Sequence, residues 1–244
     1  MKLVHQTQSG PNTLYVFEEE GKRILKINQL NETHSIYNPH DVLIEPLEAH
    51  YWNFITLLPY LTPMHNACIL GLGAGTITRQ LAIYHPALHI DGVECDKVII
   101  TLANDFFYIS QPNLSIFHDD GLAFLRAGQT LYNLIVLDAF DNGNLAPAFL
   151  TEESFSIISN QLSPDGIFAA NYIFSIPIHQ SIKSLCARYF SHVLIVQIAD
   201  SCNYVIIAGK QEIDISRLGS SSIPGRLKPL ARYITNYARE VKSL

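Results

Sequence analysis

From residue 67 onward, short apolar segments alternate with segments whose apolar residues recur at helical spacing. The apolar segments predict strands, at residues 67–71, 88–94, 114–117, 132–138 and 166–172. The amphipathic segments between them predict helices, at residues 75–85, 96–107, 120–126 and 151–162. Strands that alternate with helices form a parallel sheet with right-handed crossovers, so the pattern predicts an α/β domain over residues 61–212.

The last two predicted strands depart from this alternation. After a predicted helix at 178–190, strand-like segments at 192–198 and 203–208 are separated only by Ala199-Asp200-Ser201-Cys202. A link this short cannot join parallel neighbours, so the pair must form an antiparallel hairpin. A mostly parallel sheet that ends in such a hairpin is the Rossmann-like arrangement of class I methyltransferase folds, and this is the fold class that the sequence predicts.

The N-terminal residues 1–60 predict a smaller unit. β-rich runs at 13–18 and 23–28 predict a hairpin, and a third short strand is expected near 33–37. A lead-in helix is expected at 46–58. Its apolar face would carry four side chains, which are Leu47, Tyr51, Phe54 and Leu58.

Residues 213–244 predict a linker, at 219–225, followed by a basic amphipathic helix. The helix is expected to dock on the domain or on a second subunit, and binding to a membrane surface is the alternative. Its apolar positions are Leu227, Leu230, Ile234, Tyr237 and Val241.

The composition limits the classes of protein to which the chain can belong. The 244 residues are 48% hydrophobic and 16% charged, which suits one large core, and the net charge of −6 disfavours nucleic-acid binding. No apolar run approaches the roughly eighteen residues of a membrane span, and the N-terminus lacks an apolar leader, so we expect a cytoplasmic protein without membrane contact. The four cysteines are far apart and form no C-x-x-C pair, which predicts buried thiols in a reducing cytoplasm and no metal site.

A glycine-rich turn follows the first predicted strand of the domain, and an acid ends the next strand. The turn is Gly71-Leu72-Gly73-Ala74-Gly75-Thr76, and the acid is Glu94. Glycines let the backbone approach a ligand closely, and the acid can accept hydrogen bonds from ribose hydroxyls. A dinucleotide fingerprint would place its third glycine at Thr76, whereas here Gly75 comes one residue early. The spacing therefore favours S-adenosylmethionine or a relative over a dinucleotide.

Polar residues also follow the later strands, at the edge where ligands bind in open α/β sheets. Asp119, Asp120 and Gly121 follow the third strand, where an aspartate could accept from an adenine amino group or could cap a helix. Asp138 and Asp141 follow the fourth strand and are expected near the reactive end of the ligand, with plain turn formation as the alternative. Two tyrosines, Tyr51 and Tyr172, are predicted to line the pocket of a second substrate.

In these motifs the chain resembles the spermidine synthase (polyamine aminopropyltransferase) family, and its Asp-Ala-Phe-Asp segment at 138–141 is typical of a divergent spermidine-synthase-like branch. The resemblance implies decarboxylated S-adenosylmethionine as co-substrate, a small-molecule amine as acceptor, and a homodimer. It also implies that Glu94 holds ribose, that Asp120 holds adenine, and that Asp138 helps to deprotonate the attacking amine with Asp141 beside it.

The chain departs from the family pattern in the half of the site that would hold the amine. Ala74 stands where polyamine enzymes carry an acid, residues 171–174 replace a Gln and a nearby Glu, and Asn142 replaces a proline. Three hypotheses therefore stay open: aminopropyl transfer to an acceptor other than putrescine, methyl transfer from S-adenosylmethionine, and a catalytically silent nucleoside-binding relative.

Overall fold

A computed structural model describes residues 1–141 and 143–241 of the chain. Its N-terminal part is a four-stranded antiparallel sheet in the order β1-β2-β3-β4. The strands are β1 (Lys2–Ser9), β2 (Asn12–Glu19), β3 (Lys22–Ile27) and β4 (Ser35–Tyr37). The three predicted strands are confirmed, but β1 was not predicted. Most β1 side chains are exposed, so the strand lacks the apolar alternation that marks a half-buried strand.

The prediction of one continuous helix at 46–58 is wrong. Only α1 (Tyr51–Ile55) is α-helical, between 3₁₀ turns at Leu47–Ala49 and Leu58–Tyr60. The buried Asn53 side chain donates to the carbonyl oxygens of Ile44 and Leu47, which ties the chain before the helix. After α1, Pro59 has no N–H for an intrahelical bond, so the helix cannot continue through it.

The central sheet has eight strands in the order β14-β12-β13-β11-β8-β5-β6-β7. β11, β8, β5, β6 and β7 are parallel, and β13 is antiparallel to both β11 and β12. The strands after the first sheet are β5 (Asn66–Leu70), β6 (His89–Glu94), β7 (Leu114–His118), β8 (Tyr132–Leu137), β9 (Phe140–Asp141), β10 (Asn144–Leu145), β11 (Leu162–Ile173), β12 (His192–Gln197), β13 (Asn203–Gly209) and β14 (Arg239–Glu240). The predicted fold, a mostly parallel sheet ending in an antiparallel hairpin, is confirmed.

Helices cover both faces of this sheet. They are α2 (Thr76–Tyr84), α3 (Lys97–Phe107), α4 (Gly121–Ala127), α5 (Glu152–Gln161), α6 (Ile176–Tyr189) and α7 (Lys228–Tyr237). Successive strand residues point to opposite faces. In β8, Leu134 and Val136 pack on the face that bears α1, α2 and α7, whereas Ile135 packs on the face that bears α5 and α6. This alternation decides which residues after the strands share a face.

The C-terminal segment packs against the same core. Leu230 and Ile234 of α7 are buried with residues of α1 and β12. The helix ends at Tyr237, four residues before the predicted end, because Arg239 and Glu240 form β14 on the edge of β12. Pairing gives the backbone of β12 partners that an extended helix would leave unsatisfied.

The predicted burial of the cysteines is only half right. Cys68 and Cys186 are buried, whereas Cys95 and Cys202 are exposed, and all four thiols are free. Cys95 directly follows β6, and Cys202 lies in the turn between β12 and β13. Both are therefore in loops at the sheet edge, where apolar neighbours in the sequence do not imply burial. Within residues 1–141 and 143–241, no helix has the length and hydropathy needed to cross a bilayer.

Candidate active site

The glycine loop lies where the carboxyl ends of β5, β6 and β8 meet. The Gly71 N–H donates to the Val93 carbonyl at 3.0 Å, and Gly71 has a φ of +91°. A Cβ on Gly71 would lie 2.5 Å from the main-chain oxygen of Asp138. Gly75, with a φ of +82°, precedes the first residue of α2. Glycine is therefore required at Gly71 both for the backbone conformation and for close contact with the segment after β8.

Glu94 is held against this loop by main-chain donors. Its Oε2 accepts from the Gly73 N–H at 3.0 Å, and its Oε1 accepts from the Asp96 N–H at 3.1 Å and from the Cys95 thiol at 3.7 Å. The side chain is 7% exposed, and burial raises the pKa of the carboxyl group although the N–H donors oppose the shift. A carboxylate offers about four acceptor positions, so Glu94 keeps capacity for a ligand hydroxyl.

The residues after β7 form a helix start. The Asp120 side chain accepts from the Ala123 N–H at 2.9 Å and thereby caps α4, as the capping alternative predicted. Asp119 accepts from the Asp120 N–H at 2.8 Å, and its own N–H donates to the Glu94 carbonyl at 3.2 Å. The β7 end is therefore directly beside Glu94. Contact of Asp119, Asp120 or Gly121 with an adenine stays a prediction.

Asp138, which directly follows β8, is the central carboxylate of the second part of the candidate site. Its main-chain N–H donates to the Leu70 carbonyl at 2.8 Å, which continues the pairing of β8 with β5. The Tyr51 hydroxyl donates to Oδ2 at 3.0 Å, and the Asn171 amide donates to Oδ1 at 2.9 Å. Both carboxylate oxygens thus accept from uncharged side chains that come from distant parts of the sequence.

Burial raises the pKa of Asp138 to about 7. The hydrogen bonds from Asn171 and Tyr51 lower the pKa, and the negative charge of Glu94 raises it. Near neutral pH the group therefore populates both protonation states. A carboxyl group with such a pKa can accept and release a proton at physiological pH, which is the property of a general base.

Asp141 lies three residues further on, in β9, where it pairs with Asn144 of β10. Its side chain is exposed. Asn142, the residue that replaces the family's proline, lies outside the described residues. Within the described residues, no group of three or more histidine, cysteine, aspartate or glutamate side chains could bind a metal ion.

Tyr172 does not reach Asp138. The side chain is completely buried, and its hydroxyl bonds the Nδ1 of His179 in α6 at 2.8 Å. Because strand residues alternate, Tyr172 points to the opposite face from Asn171, which does contact Asp138. The alternation of side chains along β11 could have indicated this difference from the sequence. Asn171 is two residues after Ala169 and shares its face of the sheet, whereas Tyr172 lies on the other face.

The N-terminal sheet is fastened to the glycine loop, which the sequence did not predict. The Ala74 N–H donates to the Ser35 hydroxyl at 2.9 Å. The Thr76 hydroxyl accepts from the Ile36 N–H at 2.9 Å and donates to the Ile36 carbonyl at 3.1 Å. β4 therefore covers the loop at the position where the family pattern has an acid and this chain has Ala74.

A surface groove of about 1100 Å³ lies elsewhere, between α6 and α7. Its lining includes His179, Tyr204 and Tyr233 but none of the carboxylates described above. The groove is therefore separate from the candidate site.

Comparison with known proteins identifies the family of the chain. The sequence profile of the family described as Spermine/spermidine synthase domain matches residues 48–211. A probable polyamine aminopropyl transferase of Bifidobacterium longum is 30% identical over 171 residues, which cover 69% of this chain and 37% of that protein. The polyamine aminopropyltransferase of Alkaliphilus oremlandii is 27% identical over 203 residues, which cover 75% of this chain and 71% of the relative.

Among solved structures, a probable spermidine synthase from Corynebacterium glutamicum superimposes with a TM-score of 0.77 at 18% identity. The match covers 100% of this chain and 92% of the solved one, and at this identity it establishes the fold. The profile match covers most of the chain, including the glycine loop, Glu94 and Asp138. The chain belongs to the spermine/spermidine synthase domain family.

Proposed function

We propose that this chain transfers an aminopropyl group from decarboxylated S-adenosylmethionine to an amine acceptor, as its relatives' names indicate for polyamines. The observation that carries the proposal is the Asp138 carboxyl group. It has a pKa of about 7, is oriented by Tyr51 and Asn171, and lies beside the glycine loop. A group of this kind is what the reaction needs, because the attacking amine must lose a proton.

In the proposed reaction Asp138 first binds the acceptor as an ammonium ion. The carboxylate takes one proton from this nitrogen, whose lone pair then forms a bond to the aminopropyl carbon next to the sulfonium. The carbon–sulfur bond breaks, its electron pair stays on sulfur, and 5′-methylthioadenosine leaves as a neutral thioether. The protonated Asp138 releases its proton to solvent and returns to the carboxylate. Orientation of the two reactants would supply much of the remaining acceleration.

The other predicted residues receive binding roles in this proposal. Glu94 would accept hydrogen bonds from the ribose hydroxyls, and Asp119 or Asp120 from the adenine amino group. The support is that Glu94 keeps free acceptor capacity and that the β7 end lies directly beside it. Tyr51 would contact the acceptor through the same hydroxyl that orients Asp138, and Asp141 would add negative charge near a cationic amine.

The test is mass-spectrometric detection of 5′-methylthioadenosine after incubation with decarboxylated S-adenosylmethionine and a panel of amines. We expect release that depends on one class of amine. Asp138→Asn should abolish that release while the variant still binds 5′-methylthioadenosine, because Glu94 and the glycine loop are unchanged. No release with any amine, with the nucleoside still bound, would contradict aminopropyl transfer and would favour a silent relative.

Methyl transfer from S-adenosylmethionine is the second candidate, and Ala74 is the observation that favours it. A carboxylate at this position would repel the carboxylate of intact S-adenosylmethionine, whereas alanine does not. Titration calorimetry with both sulfonium compounds tests the point. Tighter binding of S-adenosylmethionine would favour methyl transfer, and a strong preference for the decarboxylated compound would exclude it.

We also propose that the chain forms a homodimer in the cytoplasm. Within each copy, residues 1–60, 61–212 and 213–244 would form three units. Four free thiols, two of them exposed, suit a reducing compartment. The exposed Leu3 and Val4 on the edge strand β1 offer apolar area for a second copy. Light scattering at micromolar concentration tests the dimer, and Leu3→Lys should weaken it.

A further inference from the structure

Asp138 is connected to a chain of side-chain hydrogen bonds that leads away from the site. Asn171, whose amide donates to Asp138, accepts through its own Oδ1 from the Asn203 amide at 2.9 Å. The Asn203 Oδ1 in turn accepts from the Ser201 hydroxyl at 2.7 Å. We name this set, Ser201, Asn203 and Asn171, the amide relay.

The sheet register explains why these residues meet. Asn203 begins β13 and is paired with Ile173 of β11. Asn171 is two residues from Ile173 and therefore lies on the same face as Asn203, as its diagonal neighbour. Asn171 is 1% exposed, so its amide depends on protein partners for its hydrogen bonds.

The direction of the amide relay is set by the main chain. The Ser201 hydroxyl oxygen accepts from the Asn203 main-chain N–H at 3.0 Å, and its hydrogen is then directed to the Asn203 Oδ1. With its oxygen engaged by Ser201, Asn203 presents its amide N–H to Asn171. Asn171 accepts through its oxygen and is left with its N–H toward Asp138. Each bond in the series thus fixes the orientation of the next amide.

We propose that Asn203, which does not touch Asp138, is a positioning residue that keeps the Asn171 N–H directed at the Asp138 carboxylate. In this way it sets the pH range in which Asp138 acts as a base, an inference that rests on the proposed role of Asp138. The other groups that act on Asp138 are the Tyr51 hydroxyl, which also accepts a hydrogen bond from the Asn171 amide, and the Glu94 carboxylate.

A reversal of the amide relay tests the proposal. Asn203→Asp leaves only acceptors facing Asn171, so the Asn171 amide should turn and present its oxygen to Asp138. The Asp138 carboxylate would lose one donor, which corresponds to a pKa about one unit higher. We expect the acid limb of the pH–rate profile to move up by about one unit and kcat near pH 7 to fall about fivefold. The KM for decarboxylated S-adenosylmethionine should not change.

A double-mutant cycle separates the amide relay from the added charge. In the Asn171→Leu background, Asn203→Asp should cause no further shift of the acid limb, because the group that transmits the change is gone. A shift that persists there would mean direct repulsion between carboxylates and would overturn the proposal. Asn133→Asp is the matched control, since Asn133 is a hydrogen-bonded asparagine at the far end of β8. It should alter stability only.

A readout without turnover keeps this proposal separable from the proposed function. Isotope-edited NMR of the Asp138 carboxyl carbon follows its titration directly in the wild type and in Asn203→Asp. An upward shift in Asn203→Asp that is absent in the Asn171→Leu background supports the amide relay even if no amine is found that reacts. An unchanged titration in a folded variant would show that Asn203 only ties β13 to β11, and would overturn the proposal even if aminopropyl transfer is established.

Discussion

The two halves of the site are built in different ways. The half with Glu94 is held by main-chain N–H groups of residues that are close in the sequence or in the adjacent glycine loop. The half with Asp138 is held by side chains: Tyr51 is 87 positions from Asp138, and Asn171 is 33 positions away. Main-chain donors survive most substitutions, whereas side-chain donors can be replaced one at a time. In the proposed function, the first half would therefore suit an unchanging nucleoside, and the second could be altered to accept another partner.

The largest effect that separates the halves is expected for Asp138→Asn. Loss of the proposed base should lower kcat by about 10²–10⁴-fold, because an amide cannot accept the proton of the attacking amine. Affinity for 5′-methylthioadenosine should change less than twofold, measured by titration calorimetry. Equal losses of turnover and nucleoside affinity would show that the halves are not independent.

Asp138→Asn should also change the free energy of unfolding, and it should make the protein more stable although it lowers turnover. The folded-state pKa of Asp138 lies near 7, above its ordinary value of 3.8, so the folded protein holds the proton more tightly than the unfolded chain. The Asp138 carboxyl group therefore contributes fully to the stability of the folded state below about pH 4, and this contribution is lost as the pH rises through about 7. The loss is at most about 4 kcal/mol at 1.36 kcal/mol per unit.

Asp138→Asn removes this pH-dependent loss of stability. One of the two groups that donate hydrogen bonds to residue 138, Tyr51 or Asn171, then faces an amide N–H, which costs about 1 kcal/mol. We therefore expect the variant to be about 2–3 kcal/mol more stable than the wild type near pH 8, with no gain near pH 4. Urea denaturation at the two pH values measures the difference. A gain that does not depend on pH would mean that ionisation of Asp138 is not its source.

The sequence indicated which residues lie together around Glu94 better than it indicated the contacts of Asp138, for the same physical reason. The glycine loop and Glu94 are local motifs whose residue types follow from backbone geometry, so spacing alone locates them. The contact of Tyr51 with Asp138, and the placement of Asn171 rather than Tyr172 at the site, depend on strand pairing across long sequence separations. The parallel sheet was predictable from its alternation, whereas the break in the lead-in helix follows from tertiary bonds of Asn53 that no local pattern reveals.

A smaller effect tests whether the halves communicate. Glu94→Gln would direct an amide N–H at one of the two main-chain donors, so affinity for 5′-methylthioadenosine should fall by about 10–100-fold. Removal of the Glu94 charge should also lower the pKa of Asp138, because that charge raises it in the wild type. The acid limb of the pH–rate profile should thus move to lower pH, the reverse of the Asn203→Asp result. An acid limb that stays in place would show that the two carboxylates do not interact.

The smallest expected effect is that of Tyr51→Phe, and it is also the most specific for the second half. The variant keeps the ring and loses only the hydroxyl that donates to the Asp138 Oδ2. Loss of one donor should raise the pKa of Asp138 by up to about one unit and lower kcat near pH 7 by up to about fivefold, while the Asn171 bond to Oδ1 still orients the carboxyl group. Tyr172→Phe is the matched control, because its hydroxyl bonds His179 on the opposite face and its removal should leave the acid limb unchanged. If both variants moved the acid limb equally, the effect would come from general loosening of the sheet edge, and the two tyrosines would not differ in the way that strand parity requires.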